Sequence, residues 1–147
     1  MTIPENAVKI ALIAPSARFG IGEPFGRTDD ASAALSRILK TRFGFLLMFD
    51  INFGADETAI VDTLEADQRR PLFSSCCPAW INMVETQFPD LIPNVSTARS
   101  CVEMLGSLVR RDHPNAYIVE IMPCTAKKAE RMRSGVINLS LTVVEVA

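Results

Sequence analysis

Ser74-Ser75-Cys76-Cys77-Pro78-Ala79-Trp80 places two adjacent thiols directly before a proline and an aromatic residue. Pro71-Leu72-Phe73, just upstream, can form a short buried strand. Pro78 suits the first turn of a helix, where a missing N–H costs nothing. Trp80, Ile81, Val84 and Phe88 then give that helix an apolar face. The thiols therefore sit at a strand-to-helix turn, where free N–H groups and the positive helix end favour thiolate over thiol. Adjacent cysteines are badly placed to chelate one metal together, and a disulfide between them would be strained. The pair is read as one ligand and one sulfur with a different role. The plainer alternative is two small buried apolar residues, as cysteine often is.

Outward from this stretch the chain alternates strand and helix. Val8 to Ile13 is an apolar strand ending at Ala14-Pro15-Ser16-Ala17-Arg18, and a glycine-rich loop follows. Asp29 or Asp30 can cap a helix with Ala31, Ala34, Leu35, Ile38 and Leu39 at helical spacing, ended by Gly44. Phe45 to Asn52 reads as a second strand, and Asp56 as the cap of a second helix with Ile60 and Leu64 inward. Pro71 to Ser75 reads as a third strand, leading into the Cys-Cys-Pro helix that Pro89 stops. Ser100 and Glu103 have capping-box spacing at the head of another helix. Tyr117 to Ile121 is a fourth strand, ended by Met122-Pro123-Cys124-Thr125-Ala126-Lys127-Lys128. Leu139 to Val146 is a fifth strand or a strand running into a helix. This order implies an α/β fold with a mostly parallel sheet of four to five strands and flanking helices, as a single domain over 1–147. Sites in such sheets form at the carboxyl ends of the strands, so the Ala14-Pro15-Ser16, Cys76-Cys77-Pro78 and Pro123-Cys124-Thr125 segments should share one edge.

The 147 residues carry 15 Lys+Arg against 17 Asp+Glu, a formal net charge of -2, with no basic run to bind nucleic acid. No apolar run reaches membrane-spanning length. Met1 to Lys9 lack a secretory leader pattern, and the four cysteines show no disulfide-framework spacing. A reducing cytoplasmic compartment with free or metal-bound thiols is expected. Soft thiolates select iron–sulfur clusters or zinc. Cys77 (or Cys76) and Cys124 are expected on the common edge, with Cys101 near that level. A four-thiolate site needs four ligands, so a cluster here is half-ligated unless another segment completes it. His113, the single histidine, is read as solvent-facing. Asp62, Glu65 and Arg69 fall on one helix face, which on spacing alone reads as a solvated salt-bridged surface. Lys127-Lys128 can hold an anion or form an ordinary surface pair.

Ser75-Cys76-Cys77-Pro78-Ala79-Trp80, Met122-Pro123-Cys124-Thr125-Ala126-Lys127-Lys128, Ala14-Pro15-Ser16-Ala17-Arg18 and Phe53-Gly54-Ala55-Asp56 closely resemble the catalytic domain of iron-only (FeFe) hydrogenases. The resemblance runs from about Val8 to the end. It implies a 4Fe–4S cubane bridged by a cysteine to a two-iron subsite carrying carbonyl, cyanide and a dithiolate, together the H-cluster. Cys77 and Cys124 would be cubane ligands, and Cys76 the free thiol that passes protons. Lys127, Pro15 and Ser16 would hold the cyanides, with Met122 packed against the subsite. Glu65, Asp62, Arg69 and Ser96 match the family's proton path, with Asp62 in place of the usual glutamate. The shorter side chain would need a water to close the relay. Two departures stand out. Cys101-Val102 replaces a frequent Pro-Gln after Ser100, and the chain stops at Ala147, before the family's third motif with two further cluster cysteines. The implied protein is the N-terminal lobe of the domain. It would be a fragment or a subunit that needs the missing C-terminal lobe, with ferredoxin or an electron-transfer subunit as redox partner.

Overall fold

The computed structural model describes residues 6–27, 29–66 and 70–147. It is an α/β structure with a four-stranded parallel sheet flanked by helices. The elements run β1 (Lys9–Ile13), α1 (Pro15–Gly20), α2 (Ser32–Phe43), β2 (Phe45–Asp50), α3 (Asn52–Glu65), α4 (Pro78–Gln87), α5 (Cys101–Asp112), β3 (Tyr117–Met122), α6 (Ala126–Ser134), β4 (Leu139–Thr142) and α7 (Val143–Val146). Two short 3₁₀ turns lie at Glu23–Phe25 and Pro89–Asn94.

The strand order is β2-β1-β3-β4. The most apolar strand, β1, is therefore interior, and its Ile10, Ala11 and Leu12 are fully buried. Burying a side chain such as Ile10 or Leu12 contributes about 2 kcal/mol. The chain goes from β1 to β2 on one side and returns to β3 on the other, so β1 and β3 flank a switch point. The Ala14 N–H donates to the Ile121 carbonyl at 3.0 Å, which joins the two strands at their carboxyl ends. Helix α5 presents Val102, Leu105 and Val109 as one buried stripe. Helices α3 and α5 pack against each other at very close range. A Cβ on Gly54 would sit 2.0 Å from the Cys101 carbonyl oxygen and 2.9 Å from Leu105 Cβ.

Several local expectations need correction, and two open alternatives are decided, with Asp30 at the head of α2 and the last apolar run a strand running into a helix. Pro71 to Ser75 is not a strand of the sheet. Its one ladder contact is an isolated parallel bridge between Phe73 and Val95, so the two cysteines leave a local loop pairing. Helix α3 starts at Asn52, whose N–H donates to the Asp50 carboxylate at 2.9 Å, and Asp56 lies inside the helix and caps nothing. Ser100 is the N-cap of α5, but no capping box forms, and its hydroxyl is buried without a partner. The Ser32 N–H at the start of α2 donates to Asp30, not Asp29. In α2, Ala31, Leu35 and Leu39 are buried, whereas Ala34 and Ile38 stay exposed along an apolar groove with Phe25, Phe43 and Val146. Ile60 and Leu64 of α3 are exposed, not inward. His113 is only partly exposed, at the end of α5. The last apolar run is a strand that turns into the one-turn helix α7. Among the described residues no helix is long and apolar enough to cross a membrane.

Candidate functional site

Pro78 opens α4, and Cys77 is its N-cap with extended backbone. The segment before it is held by its own hydrogen bonds. Phe73 N–H donates to Asn94 O and Ser96 N–H to Phe73 O, both at 2.8 Å, and the Ser75 hydroxyl donates to Ala98 O. Phe73 also meets Trp80 edge-on, with ring centroids 5.7 Å apart. Cys77 is exposed and Cys76 half-buried, both as free thiols.

Lys127 ties this segment to the end of β3. It lies in the first turn of α6 and is buried. Its ammonium donates to Glu130 at 2.8 Å and to the Cys76 carbonyl at 3.2 Å. Helix α6 packs on α4. In sequence, Cys77 follows the residue that Lys127 contacts, and Cys124 lies three positions before Lys127. Cys124 is half-exposed and free. Ser16 lies in the first turn of α1, after β1, and shares an open depression of about 650 Å³ with Pro123. Pro15 and Met122 are partly buried at the ends of β1 and β3, and Met122 packs against the core.

A second group runs along α3. Thr58, Asp62 and Glu65 recur at helical spacing on its side toward α5 and its leading loop. The Thr58 hydroxyl donates to Gly54 O at 3.0 Å and to Arg99 O at 3.2 Å. Asp62 Oδ1 is buried without a partner among the described residues. Glu65 accepts the Thr97 N–H at 2.9 Å and the Thr97 hydroxyl, and these bonds, with a smaller contribution from Ser96, lower its carboxyl pKa. Ser96 is buried and its hydroxyl accepts the Ala98 N–H at 3.1 Å. Helix α3 ends at Glu65, with Ala66 extended, so the helix face expected to include Arg69 stops short of it. Arg69 itself lies outside the described residues.

Cys101 closes the gap between the two groups. Its sulfur is 3.1 Å from that of Cys76. The Cys101 thiol and its N–H at the head of α5, with a smaller contribution from Lys127, lower the Cys76 thiol to about 6. The same contact pushes the Cys101 thiol up, because only one of two touching sulfurs ionises readily. Sequence places Cys101 near this level but does not pair it with Cys76, and it gives no role to Thr58, Thr97 or Glu130. Only Glu130 carried a local signal, three positions after Lys127 on one helix face.

As a donor set the rim offers two soft, accessible thiols, Cys77 and Cys124, beside a buried ammonium. This suits part of a thiolate-held iron–sulfur group with anionic ligands. Among the described residues no cluster of three or more metal-ligating side chains forms, so the donors present amount to half of a four-thiolate site.

Comparison with known proteins agrees with this geometry. The family described as iron only hydrogenase large subunit, C-terminal domain, matches residues 7–147. Iron hydrogenase 1 of Clostridium pasteurianum is 37% identical over 90% of this chain and 26% of its own length. The cytosolic Fe-S cluster assembly factor NAR1 of Yarrowia lipolytica is 29% identical over 88% of this chain and 28% of its own. A variant of apo FeFe-hydrogenase HydA1 from Chlamydomonas reinhardtii superposes with a TM-score of 0.85 and 30% identity, over 99% of this chain and 44% of that one. The chain thus spans about a quarter of the length of these curated relatives. With its fold, its cysteine motifs and nearly its whole length accounted for, the chain belongs to the iron-only hydrogenase large subunit family.

Proposed function

We propose that this chain is the N-terminal lobe of an iron-only hydrogenase catalytic domain. With a C-terminal lobe, from the same gene or a separate subunit, it would catalyse the reversible reduction of protons to H2 in the cytoplasm. Ferredoxin or an electron-transfer subunit would supply the electrons. The observation that supports this reading is the contact of the buried Lys127 with the Cys76 carbonyl and of the Cys76 sulfur with Cys101, at the head of the helix packed on α3.

Cys77 and Cys124 would hold the 4Fe–4S cubane. Lys127, Pro15 and Ser16 would hold the anionic ligands of the two-iron subsite, with Met122 packed beside it. When bound, this group supplies the redox chemistry that makes and breaks the H–H bond. The chain's own work is to position it and to move protons. Lys127 presents a fixed positive charge, because Glu130 and the Cys76 carbonyl orient its ammonium. Cys76, with its lowered thiol, would give and take a proton near neutral pH. Glu65, Asp62, Ser96 and Arg69 would carry protons between Cys76 and solvent. Bridging water completes such a relay where direct contacts are missing. Two thiols do not complete a four-thiolate site, so the chain alone is expected to be inactive.

The similarity to a NAR1 assembly factor favours a second reading, a non-catalytic iron–sulfur protein. Against it, a cluster carrier needs neither a proton-passing thiol nor a buried ammonium beside it. Anaerobic co-expression with a C-terminal lobe and maturation factors tests both. The expected result is H2 evolution, with Cys76→Ala losing H2 but keeping iron and sulfide, and Cys77→Ser losing both. Iron-loaded wild type without H2 evolution would favour the assembly reading, and iron loss in Cys76→Ala would overturn the division of roles.

A further inference from the structure

The resemblance to hydrogenases assigns nothing to Cys101, yet its sulfur is the nearest sulfur neighbour recorded for Cys76, at 3.1 Å. We propose that Cys76 and Cys101 form a reversible dithiol–disulfide pair, which under oxidising conditions blocks the thiol that passes protons. The consequence for proton passage rests on the hydrogenase reading; the bond itself does not.

Three observations carry it. First, the two sulfurs come from separate elements, the loop before α4 and the first turn of α5, and already face each other. A disulfide bond of about 2.05 Å asks the sulfurs to approach by roughly 1 Å. Second, one side is fixed and the other can yield. The Cys101 backbone is pressed against Gly54 of α3, whereas the Cys76 segment lies outside the sheet and is anchored to Phe73–Val95 pairing. Third, the competing bonds are poor. Cys76 and Cys77 are sequence neighbours, whose disulfide is strained, whereas the Cys76 and Cys101 sulfurs already touch.

The chemistry balances with a small-molecule disulfide as oxidant. The Cys76 thiolate attacks one sulfur of that disulfide and expels the other half as a thiolate, leaving a mixed disulfide on Cys76. The Cys101 sulfur then attacks the Cys76 sulfur and expels the second half. Two protein thiols lose two protons and two electrons, and the oxidant leaves as two thiols. An added dithiol reverses both steps. Closed, the pair leaves Cys76 without an S–H.

The purified chain, free of cluster, is equilibrated anaerobically in oxidised and reduced glutathione, trapped with an alkylating agent and digested with trypsin. Cleavage after Arg99 separates the two cysteines into different peptides. The expected result is a fall from four alkylated thiols to two, with the Cys76 peptide joined to the Cys101 peptide and release by dithiothreitol. The link should persist in Cys77→Ser and vanish in Cys76→Ser, which keeps Cys77 available in the same peptide. Cys101→Ser should instead stop at a glutathione adduct on Cys76. Four free thiols at every glutathione ratio, or a link that survives Cys76→Ser, would overturn the proposal. Neither outcome depends on iron binding or H2 evolution, which test the hydrogenase reading separately. In the co-expressed protein, oxidation should stop H2 evolution in wild type, and added dithiothreitol should restore it.

Discussion

Glu120 offers a sharp test of how the interior of this lobe is built. It lies on β3 and is 1% exposed. Burial pushes its carboxyl up from 4.5 to about 7, only partly offset by Ser140 and by the Lys127 and Arg131 charges, while Glu130 adds to the rise. The sign follows from linkage. Between pH 4.5 and 7 the folded chain keeps a proton that the unfolded chain has lost, so stability falls as pH rises through that window. Below it both states are protonated, and above it both are ionised, so the contribution is flat at either end. At about 1.4 kcal/mol per pH unit, the window amounts to about 3 kcal/mol. Glu120→Gln has the same shape and no proton to lose. We expect urea unfolding of the variant and the wild type to give nearly equal stabilities at pH 4.5. At pH 8 the variant should be more stable by about 3 kcal/mol. Comparing the two chains at each pH cancels the titration of the other groups. An equal gap at both pH values would refute the claim that Glu120 is held neutral by its surroundings.

Two further outcomes follow from the packing around the site. Gly54→Ala places a methyl 2.0 Å from the Cys101 carbonyl oxygen, a backbone atom that cannot swing away. The helices must separate, and we expect a loss of about 2–3 kcal/mol in urea unfolding; a change below about 0.5 kcal/mol would contradict the α3–α5 contact. Lys127→Met leaves the partly buried Glu130 without its 2.8 Å partner and the Cys76 carbonyl without a donor. A loss of about 3 kcal/mol is expected. Adding Glu130→Gln should restore much of it, and additivity in that double-mutant cycle would show that the pair is not coupled.

The sheet was legible because its strands are apolar and bounded by turn residues. The strand read as Val8 to Ile13 is β1, one residue shorter at Lys9–Ile13, and Gly44 ends α2 in the left-handed conformation its position demands (φ 69°). The misreadings have local causes. Pro71 to Phe73 has the apolar character of a strand, but it pairs only with Val95 in an excursion outside the sheet. Asp56 was read as a cap because acidic residues open helices, yet Asp50 fills that need six residues earlier. Ser100 and Glu103 have the right spacing for a capping box, but spacing does not dictate where a hydroxyl turns. At the site, the motif cysteines stand out by their neighbours in sequence. The contact between Cys76 and Cys101 does not, because it depends on two helices closing to backbone contact over a glycine distant in sequence from either cysteine.

The way the two arms of the rim are mounted gives them unequal compliance. Pro15 and Met122 continue directly from strands buried at the centre of the sheet, and a bond between those strands locks their ends. The arm bearing Cys76 and Cys77 hangs instead on one bridge, a few loop hydrogen bonds and the Lys127 ammonium. Any group seated between them would meet a stiff wall on one side and a yielding one on the other. Adjustment to its size or charge would therefore fall to the thiol-bearing side, with Lys127 as the latch that limits how far that side can open.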